Sequence, residues 1–150
     1  ALTGELLRRH TTFSESDRAA IVKAVLNHGS KPNSKDDPLH LIGLVDADRL
    51  ENMGATIFGR YAQHHPNVPI LDPVRIHKVP GASWRDIKVL LWELDYTAGW
   101  ADETGPYILR LPAARALGKK RAAKIRRLID DIKKEREELG LWPDYPKFLL

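Results

Sequence analysis

Between Pro38 and Pro66, a carboxylate and an amide share one line with apolar side chains. Leu41, Val45, Asp48, Asn52, Ala55 and Gly59 are separated by 4, 3, 4, 3 and 4 residues, the spacing of one face of an α-helix. The line begins apolar and ends small, so Asp48 is expected to point inward. Asp46 lies two positions earlier, about 200° around the helix, and is expected to face the other way. A carboxylate on a buried line is costly unless it meets a cation, a hydrogen-bond donor or a metal ion. Spacing alone leaves two readings open. One is an internal ion pair or helix–helix hydrogen bond, with Arg18 or His28 as partner; the other is a ligand to a metal. His28 closes a second line, Ile21, Val25, His28 (i, i+4, i+7), which places it among apolar side chains rather than on a wet face.

The residues around Asp48 resemble a known motif. Asp46-Ala47-Asp48-Arg49-Leu50-Glu51-Asn52-Met53-Gly54-Ala55 is similar to the last motif of the HD-domain phosphohydrolase superfamily. Its core, Ala47-Asp48-Arg49-Leu50-x-Asn52-Met53, resembles the hydrolase domain of the enzymes that degrade guanosine tetraphosphate. Asp-Ala-Asp-Arg-Leu followed by Gly-Ala also resembles small bacterial HD hydrolases. Upstream, Ile21 to His28 is similar to the helix that precedes the motif and commonly ends in a histidine. The likeness covers residues 1–65 or so. It implies a helical bundle around a divalent metal (Mn, Mg, Fe, Co or Ni) and hydrolysis of a nucleotide or other small phosphoester. By position, Asp48 would be the carboxylate that closes the metal site. Asn52, one turn later, would contact substrate or orient the site. His28 would lie near the metal-bound water or the phosphate, as a ligand to a second ion or a proton donor, and Arg49 would be a structural ion-pairing residue. The implied chemistry is that of a hard cation that polarises the phosphoryl group and acidifies its bound water.

The chain departs from the family at the pair that gives the family its name. A His-Asp dipeptide and a histidine about one helix earlier are metal ligands there, and no His-Asp dipeptide occurs in these 150 residues. His10, His28 and His40 precede Asp48, but none is followed by aspartate. The sequence opens Ala1-Leu2-Thr3, and Met53 is its only methionine. Two readings follow: the later part of a cleaved or truncated enzyme, or a relative that has lost the metal site. Asp48 and His28 alone would hold an ion weakly, because two ligands leave most of a coordination sphere to water. The chain is therefore expected to be inactive alone, with an upstream segment of the same protein as partner. The competing reading is a non-catalytic, HD-like interaction module.

The elements that must position these residues are helical. Ser14 with Asp17 is a capping-box-like start for a helix over 17–28, and Gly29 is its natural stop. After a polar loop, Asp37 as N-cap and Pro38 at the first helical position predict one helix running to about His64, some 27 residues. A proline-rich connection over 66–82 follows, with Val68–Leu71 and Val74–Ile76 as the best strand candidates. Ser83 and Asp86 predict a further helix that buries Trp84, Ile87, Leu91 and Leu94. An irregular stretch over 99–111 leads to Pro112 and a long helix with Leu117, Ile125, Leu128, Ile132 and Leu139 on one side. The aromatic tail, 141–148, is expected to pack back on the body. The fold class is all-α, a single helical domain over 1–150, with an HD-like portion (1–65) followed by C-terminal helices and tail (66–150).

Composition narrows the function classes. With 150 residues, 43% hydrophobic and 29% charged, the chain is one globular domain, and its expected location is cytoplasmic. The absence of cysteine excludes disulfide scaffolds, thiolate metal sites and cysteine nucleophiles, and no apolar run reaches the ~20 residues of a membrane span. Residues 110–136 hold eleven basic and three acidic side chains. The cluster Lys119, Lys120, Arg121, Lys124, Arg126 and Arg127 could meet an acidic partner or nucleic-acid phosphates, yet no DNA- or RNA-binding motif accompanies it, so nucleic acid is not the expected partner. The expected partners are a small phosphorylated substrate and a second copy of the chain. His64-His65 read as caps of helix-terminal carbonyls, and His77, beside Arg75 and Lys78, as an exposed loop residue. Gly54 and Gly59 are expected to permit close helix packing, and Trp84, Trp92 and Trp100 to be core residues rather than a base-stacking platform.

Overall fold

A computed structural model describes residues 2–29, 32–54, 57–64 and 89–140. Every regular element among them is a helix: α1 (Leu2–His10), α2 (Glu15–Asn27), α3 (Leu39–Asn52), α4 (Ile57–His64), α5 (Leu90–Gly99) and α6 (Pro112–Glu138). The two strand candidates, the start at Ser83 with Trp84 and Ile87, the imidazoles of His64, His65 and His77, and the aromatic tail lie outside what is described.

Local signals set several of the ends. Ser14 caps α2, its hydroxyl oxygen accepting from the Asp17 amide at 3.1 Å, as the sequence pattern requires. Proline at the first position starts α6. Asp37, in contrast, does not cap α3. Pro38 occupies that position without a side-chain bond, while the Asp37 carboxylate accepts from Ser34 N at 3.0 Å and pairs with Arg110 at 2.8 Å. A buried guanidinium has displaced the local role.

The expected single helix over 38–64 is two. Successive tight bonds, Met53 N to Leu50 O at 3.2 Å, Gly54 N to Glu51 O at 3.1 Å and Ile57 N to Gly54 O at 3.2 Å, end α3 and start α4 in a new direction. Gly59 has open space around its Cα among the described residues, so it is not a close-packing site. That role belongs to Gly118, where an added Cβ would collide with the buried Leu109 side chain.

Two apolar clusters result. Ala24 of α2 packs with Leu41 and Val45 of α3. The larger cluster joins Met53, Ile57 and Tyr61 to Leu90, Leu91, Leu94 and Ala98 of α5 and to α6. The buried line of α6 is Ala114, Gly118, Ala122, Ile125 and Ile129; of the large residues expected, Ile125 is buried and Leu128 and Ile132 pack against the core, whereas Leu117 is 42% and Leu139 71% exposed. Small side chains over the first three turns let α6 lie close to α5 and to the returning segment Ala101–Leu109. Gly105, with φ 138°, supplies the backbone geometry that turns this segment back, and Leu109 N closes it onto Trp100 O at 2.8 Å.

The acid buried in the fold is Asp46, not Asp48. Asp46 is 1% exposed, and its Oδ2 accepts from the backbone N–H groups of Arg110 (2.8 Å) and Leu111 (2.7 Å), at the start of α6. Helix starts carry unpaired N–H groups and partial positive charge, so a carboxylate suits them. Helix α3 is thus covered on two sides, one apolar through Leu41 and Val45 and one polar through Asp46 and Arg49; a one-stripe reading finds only the first. Replacing Asp46 by Ala orphans two buried N–H groups and should lower stability by about 2–4 kcal/mol, whereas Asp46→Asn keeps an acceptor and should cost about half as much. Urea denaturation of the two variants measures both.

Candidate functional site

The three residues singled out in sequence line one cleft. Its volume is about 530 Å³, and its walls come from the end of α2 (His28, Gly29), from α3 (Val45, Asp48, Arg49, Asn52), from α4 (Ile57, Arg60, Tyr61), and from α5 with the segment after it (Glu93, Tyr96, Thr97, Trp100, Tyr107). It lies where the two apolar clusters meet, so four helices converge on it.

Asp48 is half-buried in this cleft, and among the described residues its carboxylate has no hydrogen bond or ion pair. Neither proposed internal partner takes it. Arg18 pairs with Glu15 at 3.0 Å, and the His28 ring bonds its own helix, Nδ1 to Val25 O at 2.5 Å. A carbonyl can only accept, so Nδ1 carries a proton, and the other ring nitrogen, Nε2, is not used by this bond. Asn52 is engaged at both ends of its amide: Nδ2 donates to Asp48 O at 2.9 Å, and Oδ1 accepts from Arg60 Nη1 at 2.9 Å.

Arg49, expected as a structural ion-pairing residue, is buried and held by neutral acceptors and an aromatic ring. It is 6% exposed, donates from Nη1 to Asn33 Oδ1 (2.7 Å) and Ile108 O (3.0 Å), and places its guanidinium 5.8 Å from the centre of the Tyr107 ring. Burial lowers its pKa, and the nearby Asp46 carboxylate opposes that shift. The Tyr107 ring meets Tyr96 edge-on at 6.1 Å, and Tyr96 in turn meets Trp100 at 5.6 Å and stacks on Trp92 at 5.3 Å. One flank of the cleft is therefore a continuous aromatic wall. Trp92 and Trp100 pack against the main core, as expected, but Trp100 also faces the cleft.

Sequence reasoning missed Arg60, Tyr61, Glu93, Tyr96 and Tyr107. For Arg60 the cause is geometric. In an unbroken helix, residues eight apart stand ~12 Å apart along the axis, so no side-chain contact with Asn52 would be read from spacing. The Met53–Gly54 turn brings them together. The tyrosines and Glu93 converge only through tertiary packing, and no local pattern marks them.

The donors present do not by themselves fit a closed metal centre. No group of three or more His, Cys, Asp or Glu side chains among the described residues is placed to hold an ion. What the cleft offers is two carboxylates (Asp48 and Glu93), two guanidinium groups (Arg49 and Arg60), an imidazole and an aromatic flank, suited to a polar small molecule. No family model, curated protein or solved structure gives a significant match to this chain.

Burial raises the pKa of Tyr61, helped by the Glu93 charge, and burial also raises that of Tyr96. Both phenols should therefore ionise above the ordinary value of ~10, later than unperturbed tyrosine. The neutral form is the one favoured by folding, so this contribution is intact below pH ~10 and is lost as pH climbs through the raised values. Tyrosinate absorbance during alkaline titration should include a late-titrating component that Tyr61→Phe and Tyr96→Phe each reduce.

Proposed function

We propose that the cleft is the substrate-holding face of an HD-type phosphohydrolase acting on a nucleotide or other small phosphoester. The observation that carries the reading is the convergence of His28, Asp48 and Asn52 on one cleft, where the Asp48 carboxylate has no partner among the described residues. The motif resemblance assigns roles to the same three residues. Asp48 would be a carboxylate ligand of a divalent ion, Asn52 would orient the site, and His28 would lie beside it to handle a proton. A bound ion would supply Lewis-acid activation of a phosphoryl group. Asp48 and His28 are too few to hold it tightly, so a working centre needs donors beyond the described residues.

Phosphate release from nucleoside phosphates with Mn²⁺ tests the reading, using this chain and the full polypeptide encoded by its gene. The expected result is hydrolysis by the full polypeptide that falls roughly a hundredfold or more in Asp48→Ala, with little turnover by the present chain. Absence of hydrolysis in both would favour the interaction module instead.

One observation supports that second reading. Lys120, Lys124 and Arg127 are exposed on one stripe of α6, with no carboxylate paired to them among the described residues. Neighbouring Lys119 and Arg126 are engaged by Glu103 and Asp102. An acidic partner bound here would lose affinity steeply as salt rises, since exposed charges are screened within ~8–10 Å. The triple Gln variant at the three positions should abolish such binding; a salt-independent complex would exclude this stripe as its site.

A further inference from the structure

We infer that Arg60 is the anion-binding group of the cleft, the side chain that takes the phosphate of a phosphomonoester, and that Asn52 is the positioning residue that aims it. The inference names the phosphate-receiving group of the site proposed above, and rests on that reading for the identity of the ligand.

Arg60 stands on the cleft wall with its side chain 32% exposed, so water-borne ligands reach it. Two bonds fix the guanidinium plane: Nη1 to Asn52 Oδ1 at 2.9 Å and Nη2 to Glu51 Oε1 at 2.6 Å. A guanidinium has five N–H donors, and among the described residues the remaining ones have no protein acceptor. A planar fork held from one side, with donors left over, is the arrangement that receives an oxyanion through paired hydrogen bonds. The entropy of holding a long side chain is already spent on Asn52 and Glu51, so an arriving anion meets a prepared group.

The other charges near the cleft do not compete for this role. Arg49 is committed to Asn33, Ile108 O and the Tyr107 ring. Glu51 is 65% exposed, and water weakens its neutralising effect on Arg60. Asn52 also ties this group to the proposed ion ligand. The amide that accepts from Arg60 donates to the backbone carbonyl of Asp48, one helical turn away. An anion on Arg60 therefore lies within reach of the Asp48 end of the cleft, where a reacting phosphate would have to sit.

Isothermal titration of this chain with inorganic phosphate, ribose 5-phosphate and acetate tests the assignment without requiring turnover. The two phosphates should bind and acetate should bind less well. Arg60→Gln should weaken phosphate binding by roughly tenfold or more. Arg60→Lys keeps the charge but not the fork, and should weaken it by about three- to fivefold. Asn52→Ala keeps Arg60 but frees it, and should give a loss of similar size, about threefold. Lys23→Gln, which removes one exposed charge from α2 outside the cleft, should change nothing, and urea midpoints report whether each variant is folded. Three results would overturn the assignment: no phosphate binding by the parent chain, equal binding by Arg60→Gln, or an equal loss in Lys23→Gln. Parent-like binding by both Arg60→Lys and Asn52→Ala would overturn the positioning role. Hydrolysis by the full polypeptide with phosphate binding indifferent to Arg60 sinks this inference alone. Arg60-dependent binding without hydrolysis sinks the enzymatic reading alone.

Discussion

The fold depends on a carboxylate set against the start of a helix. Asp46, on the middle of α3, accepts the backbone N–H groups of Arg110 and Leu111 at the entry to α6. The bond fixes where the longest helix begins relative to the central one, and other contacts follow from it. With its backbone pinned, Arg110 can extend its side chain to Asp37 and Ser34 O at 2.8 and 3.2 Å. Asn33, in the same loop, receives Arg49 and bonds Pro106 O and Ile108 O at 2.7 and 2.8 Å. The loop over 32–37, the centre of α3 and the segment over 106–111 are thus laced into one polar unit.

Such lacing is a costly way to hold a small protein, because each buried charge loses its water. The first three turns of α6 present only Ala and Gly to the core, and among them only Gly118 against Leu109 restricts the helix by fit. Small residues permit close approach but specify register poorly. Asp46 supplies the missing restriction: an α6 that starts one residue early or late leaves the carboxylate without donors and a pair of N–H groups without acceptors. The cost of burial is thereby offset by the rejection of alternatives, and the Tyr107 side of the cleft inherits a fixed position.

What could be read from the sequence follows the range of the interactions. Ser14, Pro112 and the helical periodicity act over a few residues, so the all-α class, the start of α2 and the start of α6 are legible. Local spacing misjudges the burial of α3's acids, since it points Asp48 inward and Asp46 outward, whereas Asp46 is buried and Asp48 half-buried. Three features escape. Asp37 has the pattern of an N-cap, but Arg110, 73 residues on, claims it. The stripe of α3 looks single because a pattern search counts apolar residues, whereas its second covered side is Asp46 and Arg49. The break at Met53–Gly54 has no proline to announce it; the helix-compatible run continues on paper while the chain turns. In the first two cases a contact distant in sequence outweighs a local preference of about a kilocalorie.

The same break decides what the cleft can offer. Had α3 continued, Asn52 would have ended a polar stripe with nothing across from it, and Arg60 would have stood two turns further along in solvent. With the turn in place, both ends of the Asn52 amide are used, one on its own helix and one on Arg60, so the guanidinium is held off Asp48 rather than paired with it. Arg49, adjacent in sequence, is likewise directed away. Two guanidinium groups near one carboxylate, both engaged elsewhere, would be a poor arrangement for a deeply buried acid. Asp48 is only half-buried, so water meets its charge at modest cost and can be exchanged for a ligand. The burial of Asp46 and the partial exposure of Asp48, two residues apart on the same helix, separate structural duty from availability.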